Sequence, residues 1–196
     1  NVLIPRQDTE TLVEEAIKLV EPGMSILDMC TGSGCIIISI LKKCSGIQGT
    51  GSDISKQALN VAKKNAKLNN VAVDFERSDM FENISDKYDM IVSNPPYIEP
   101  KYYIQYRPQV YEFLKKHYDL KKGKVDASLF FIKRYMQLLN SNGKLSIITQ
   151  RRFFKTKYGE EMRQWLANHK YVTKIIEYAD NNIFKKHITY VATLCA

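Results

Sequence analysis

The segment Asn94-Pro95-Pro96-Tyr97 holds the residue types that speak most directly of chemistry. Two prolines fix the backbone, so the Asn94 side-chain oxygen and the Pro95 carbonyl can face one cleft together. Two acceptors placed this way bind both N–H groups of an amino group attached to a ring or a carbonyl. Such a nitrogen is a poor nucleophile because its lone pair is delocalised. Holding both N–H groups favours a pyramidal nitrogen whose lone pair faces an incoming methyl group. Attack then needs no prior general base, and orientation with placed dipoles supplies the rate. Asn94, Pro95 and Tyr97 are therefore the expected catalytic residues. Pro96 and Tyr97 are expected to contact the substrate, the tyrosine by stacking on its plane.

A second constellation lies upstream. Asp28-Met29-Cys30-Thr31-Gly32-Ser33-Gly34 closes a short apolar strand with a glycine turn, and in an open α/β sheet ligands bind outside the carboxyl ends of the strands. Asp53 ends the next strand, where a carboxylate can take both ribose hydroxyls. Asp79, within Ser78-Asp79-Met80, can accept a proton from an adenine amino group. Three acids after three strands suit an adenosine carrying a cationic sulfonium and would repel a pyrophosphate. The expected cofactor is S-adenosyl-L-methionine, held by Asp28, Cys30, Thr31, Gly32, Gly34, Asp53, Asp79 and Asn94. A nicotinamide enzyme of Rossmann type expects G-x-G-x-x-G, and here Ile36-Ile37 replaces the approach to the third glycine.

The elements that must position these residues read as alternating strands and helices. Thr9 to Val20 has an apolar face through Leu12, Val13, Ala16, Ile17 and Val20, with Asp8 as N-cap and Pro22-Gly23 as the stop. Ser25 to Cys30, Ile47 to Asp53, Val71 to Glu76 and Tyr88 to Ser93 read as strands. The run Ile36-Ile37-Ile38 has strand propensity, but a βα turn requires a helix over 35–43. Ser55 caps a helix to Asn69 with a stripe of Ala58, Ala62 and Ala66. Asp126 to Leu139 and Tyr158 to Asn168 read as helices, Lys144 to Thr149 as a strand after the turn Ser141-Asn142-Gly143, and Val172 to Tyr178 and Ile188 to Cys195 as the last strands. The expected fold is α/β: a Rossmann-like, seven-stranded, mostly parallel sheet with helices on both faces and an antiparallel last strand. The expected organisation is one catalytic domain over 1–196. Within it, the tyrosine-rich stretch 98–125 reads as an insertion or lid over the active site.

Bulk properties narrow the class. At 196 residues the chain suffices for one substantial core. Its longest apolar run is far too short to span a bilayer, and neither a signal peptide nor a membrane partner is expected. Cys30, Cys35, Cys44 and Cys195 form no C-x-x-C pair and do not cluster with the three histidines, so no metal is expected. Reduced cysteines indicate a cytoplasmic protein. The net charge of +8 is uneven, because residues 1–96 carry 10 Lys/Arg against 13 Asp/Glu and the remainder carries 19 against 8. A basic second half suggests a polyanionic partner.

On these residues the chain resembles class I methyltransferases that act on amino groups. Residues 2–20 and 86–99 resemble the protein-(glutamine-N5) methyltransferases of release factors. The stretch 120–196 resembles the gamma-type, Eco57I-like adenine-N6 DNA methyltransferases. The matching parts are Lys122-Gly123-Lys124, the helix 126–140, Asn142-Gly143-Lys144-Leu145, Tyr158-Gly159 with Met162-Arg163, and Ile183-Phe184 ahead of Thr189-Tyr190. The second resemblance implies that Phe184 faces Tyr97 across a flipped base; a core position for Phe184 is the competing possibility. With the basic half, it favours adenine N6 in DNA, in a restriction-modification setting, as the substrate. N5-methylation of a glutamine in a peptide chain release factor is the alternative, and a degenerate basic nucleic-acid-binding domain is the bland one.

Overall fold

A computed structural model describes residues 7–96, 100–120, 123–177 and 191–195. The chain forms two compact units, Asn1–Asn94 with Leu138–Ile148, and Pro95–Gln137 with Thr149–Ala196.

The first unit is built on a parallel sheet. Its elements are α1 (Gln7–Ile17), β1 (Ser25–Met29), α2 (Cys35–Lys43), β2 (Gln48–Asp53), α3 (Lys56–Leu68), β3 (Asp74–Arg77), β4 (Tyr88–Ser93) and β5 (Leu139–Gln150). The strand order is β3-β2-β1-β4-β5, with every pairing parallel. Strands buried on both faces read as continuous apolar runs rather than alternation. Accordingly Ile26, Leu27, Met90, Ile91, Val92, Leu145, Ile147 and Ile148 have no exposed surface.

The isoleucine run is helical, as the βα turn requires. Ile36, Ile37, Ile38 and Ile40 of α2 are all buried, so packing overrides their strand propensity. Helix α3 is capped by Ser55, whose side chain accepts from the Ala58 amide, and its alanine stripe is buried as expected. Helix α1 starts earlier than its apolar pattern predicts. Asp8 therefore sits inside the first turn rather than at the cap, where its Oδ1 accepts the Thr9 amide at 2.7 Å. The expected turn Ser141-Asn142-Gly143 lies inside β5 instead: the strand already pairs at Leu139 with Tyr88, and its register shifts before Lys144 pairs with Met90, with Asn142 at a positive φ of 65° in the irregular stretch.

The second unit holds α4 (Pro100–Tyr106), α5 (Pro108–His117), α6 (Ala127–Leu138), α7 (Glu160–Asn168), β6 (Lys174–Glu177) and β7 (Val191–Cys195). The 98–125 stretch, which lacks clear periodicity, thus supplies two short helices. Arg107 and Pro108 separate them, with the proline at a tolerated first-turn position. Tyr111 is buried, and its hydroxyl accepts the Val125 amide at 2.6 Å. Asp126 caps α6 through the Ser128 amide at 2.9 Å. In α7, Arg163 donates to the carbonyls of Phe153 and Thr156, and a Cβ on Gly159 would overlap the Phe153 carbonyl. Lys133 lies 3.7 Å from the Trp165 ring centroid, a cation–π contact.

The sheet of the first unit thus has five parallel strands, where the sequence predicts a seven-stranded sheet for the whole chain. Strands β6 and β7 belong to the second unit and pair with each other antiparallel, Lys174 opposite Cys195. Chain order and apolar pattern identify strands, but long-range backbone pairing decides which compact unit each one joins. No described helix is long and apolar enough to cross a membrane.

Candidate active site

The carboxyl ends of β1, β2 and β4 converge in the first unit. β1 runs beside both others, with Met29 opposite Ser52 and Ser93. Asp28 is fully buried at the end of β1. Its Oδ2 accepts from the Thr31 hydroxyl at 2.5 Å and from the Ile37 amide at 3.3 Å. Its Oδ1 is buried with no hydrogen-bond partner among the described residues. Burial is the main reason that the Asp28 carboxyl is raised to about 7, against the hydrogen bonds of Thr31 and Ile37, with a smaller upward push from Asp53.

The turn that follows is made by backbone conformation. Cys30, Gly32 and Gly34 all have positive φ, at 62°, 57° and 77°. The Thr31 amide donates to the Ser52 carbonyl at 2.9 Å, and Asn65 of α3 donates to the Ser33 carbonyl at 2.9 Å. A Cβ on Gly34 would lie 2.9 Å from Ile38 Cδ1 and 3.1 Å from Ala62 Cβ. Gly34→Ala is therefore expected to destabilise the protein by about 1–3 kcal/mol, through left-handed strain and overpacking together. Urea denaturation checks this, and an unchanged midpoint would show that the turn relaxes freely.

Asp53 ends β2. Its Oδ2 accepts the Gly32 amide at 2.9 Å and its Oδ1 the Ser55 amide at 2.8 Å. Each oxygen keeps a lone pair for a ligand hydroxyl. Asp79 is half-buried after β3, and its carbonyl accepts the Glu82 amide at 3.2 Å. Cys30 is half-buried and free. Its thiol is pushed up to about 12, by burial first and by the charges of Asp53 and Asp28 after it. Alkylation by iodoacetamide at pH 8 is consequently expected to be far slower than for an exposed thiol, since only the thiolate reacts. Mass spectrometry of the Cys30 peptide checks this; labelling at the rate of a free thiol would contradict it.

Asn94 follows β4 and is half-buried. Three contacts in its surroundings were not legible as functional in the sequence. The Ser93 hydroxyl donates to the Met29 carbonyl at 2.7 Å, fastening the end of β4 to the end of β1. Asn94 Nδ2 donates to Thr9 Oγ1 at 3.4 Å. Thr9 Oγ1 in turn donates to Asp8 Oδ1 at 3.2 Å. The only signal for Thr9 was its place in the 2–20 stretch that resembles the glutamine enzymes. Pro95 is buried and Pro96 exposed. Tyr97 and Phe184 lie outside the described residues, and with them the proposed base sandwich. Among the described residues no group of three or more His, Cys, Asp and Glu could hold a metal ion.

Comparison with known proteins bears on this geometry. The model of the Eco57I restriction-modification methylase family matches residues 37–184. The release factor glutamine methyltransferase of Streptococcus pneumoniae is 48% identical over 98 residues, which is 50% of this chain and 35% of that protein. The enzyme of the same name from Flavobacterium psychrophilum is 35% identical over 163 residues, covering 74% of this chain and 54% of that protein. The chain thus spans about a third to a half of the curated relatives it matches. Among solved structures, a protein of Listeria monocytogenes described as a class I S-adenosylmethionine-dependent methyltransferase superposes with a TM-score of 0.76 at 18% identity, over 100% of this chain and 62% of that one.

These findings correct the expected substrate. The reading of adenine N6 in DNA is overturned by relatives at 35–48% identity that carry the glutamine methyltransferase name. The physical reason is that net charge is a property of the surface, whereas Asn94-Pro95 can hold any conjugated amino group. The basic second half therefore carried no information about a base.

A solved structure of like fold, the 16S rRNA methyltransferase of T. Thermophilus, holds AdoMet (S-adenosylmethionine); it superposes with a TM-score of 0.63 at 15% identity, over 98% of this chain and 43% of that one, and the residues of the first unit suit such a cofactor. A buried carboxylate oxygen without a donor, Asp28 Oδ1, suits a cationic ligand. The positive-φ turn exposes backbone to it, and Asp53 is already aimed by two amides.

Proposed function

This chain belongs to the Eco57I restriction-modification methylase family, and from that premise we propose that it methylates the side-chain amide nitrogen of a glutamine in a peptide chain release factor. The reading is carried by the shared name of the relatives at 35–48% identity, and Asn94 agrees with it chemically. S-adenosylmethionine supplies an electrophilic methyl group on a positively charged sulfur. Asp28, Cys30, Thr31, Gly32, Gly34, Asp53, Asp79 and Asn94 would hold it.

The glutamine amide is a weak nucleophile because its nitrogen lone pair is shared with the carbonyl. Asn94 Oδ1 and the Pro95 carbonyl accept its two N–H groups and favour a pyramidal nitrogen. The lone pair then points along the line of transfer, so orientation lowers the barrier rather than prior deprotonation. The proton is lost from the methylated nitrogen afterwards. We assign Pro96 and Tyr97 to contact with the amide. Cofactor carrying a tritiated methyl group is expected to label a bacterial release factor and not duplex DNA, with loss of label when the acceptor glutamine is replaced. Label in DNA alone would overturn the proposal.

A further inference from the structure

We propose that Thr9 is a positioning residue for methyl transfer, its hydroxyl deciding which end of the Asn94 carboxamide faces the substrate. The proposal rests on the role of Asn94 given above and adds a residue to it. An amide side chain is symmetrical in shape, and both orientations fit the same space. Only one is useful, because Asn94 must offer its oxygen to an N–H. A flipped amide would set two N–H groups against the two of the substrate.

The hydrogen bonds at α1 remove that ambiguity. Asp8 Oδ1 accepts both the Thr9 amide at 2.7 Å and the Thr9 hydroxyl at 3.2 Å. A carboxylate only accepts, so the single hydroxyl proton of Thr9 is committed to Asp8. Thr9 Oγ1 then has only lone pairs for Asn94. Nδ2 can donate to it, as it does at 3.4 Å, whereas Oδ1 in its place would set two acceptors against each other. Asp8 and Thr9 are buried, with 5% and 6% of their surface exposed, so solvent competes little for these bonds. The chain Asp8–Thr9–Asn94 thus leaves the Asn94 oxygen as the end that is free of Thr9.

The test uses Thr9→Val, which keeps the shape and removes the hydroxyl, and Thr9→Ser, which keeps the hydroxyl. Methylation of the release factor is measured in each, alone and with Asn94→Ala. Thr9→Val is expected to lower kcat about tenfold, the scale of one hydrogen bond, with KM and cofactor affinity unchanged, and Thr9→Ser to restore it. On the Asn94→Ala background Thr9→Val should cost nothing further. A loss that simply adds to that of Asn94→Ala, or one that Thr9→Ser fails to rescue, overturns the proposal. Nitrogen-15 spectra of the Asn94 side-chain amide give a reading independent of substrate. Its N–H resonances should shift in Thr9→Val and hold in Thr9→Ser. Unmoved resonances in Thr9→Val would show that the bond does not exist. Wild-type turnover in Asn94→Ala would instead remove the catalytic role of the loop itself.

Discussion

Replacement of Asn94 by alanine is expected to lower methyl transfer by about 10²–10³-fold, the scale seen when one preorganised hydrogen-bonding group is removed from a reacting centre. The side chain is supported from one side, Nδ2 donating to Thr9 at 3.4 Å, and it follows a strand whose end is fastened to β1 through Ser93. Truncation removes the acceptor together with its bond to Thr9, and leaves the Ser93 fastening of β4 to β1 in place. Cofactor affinity should fall little, since Asp28, Asp53 and the glycine turn are held by other bonds. Single-turnover labelling with calorimetric titration of the cofactor separates the two effects. A variant that keeps its turnover would make the loop a structural turn; one that loses cofactor binding instead would place Asn94 chiefly on the cofactor.

The second large effect concerns Asp28 and pH. Its carboxyl is raised from an ordinary 3.8 to about 7, chiefly by burial. Between those values the folded chain keeps a proton that the unfolded chain has released. Stability therefore falls as pH rises from about 4 to about 7, and levels off above that. The full cost at pH 8 is on the order of 4 kcal/mol. Asp28→Asn is expected to flatten this part of the profile. Urea denaturation of the cofactor-free protein should then show a higher midpoint than wild type at pH 8 and a similar one at pH 4. An unchanged slope in the variant would mean that another group carries it. A cationic cofactor favours ionised Asp28, so wild-type cofactor affinity should rise between pH 6 and 8, and that rise should vanish in Asp28→Asn.

Much of the first unit could be read from residue order. The glycine turn after β1, the acids at the ends of β1 and β2, the alanine stripe and the loop after β4 all depend on local patterns that recur wherever a strand feeds a helix. The isoleucine run was read correctly only because the βα turn demanded a helix, since propensity alone pointed to a strand. The start of α1 was misplaced because an aspartate satisfies free amides from within the first turn as well as from the cap. The stretch 98–125 showed no clear period because its two helices are short and are broken by Arg107-Pro108. The substrate is not legible because glutamine and adenine offer the same conjugated amino group to Asn94-Pro95, and neither the basic second half nor the resemblance of 120–196 to DNA enzymes separates the two.

Residue type and spacing along one strand-turn-helix unit are what point to Asn94-Pro95 as an acceptor pair and to acids that suit a cationic nucleoside. Tertiary structure decided what those residues are. Full burial turned Asp28 from an ordinary carboxylate into one that titrates near neutrality, a property of its surroundings and not of its neighbours in sequence. Likewise, Thr9 and Asn94 stand 85 positions apart, and no local rule joins them. Only folding brings α1 to the end of β4, where one committed hydroxyl proton can settle which way an amide points.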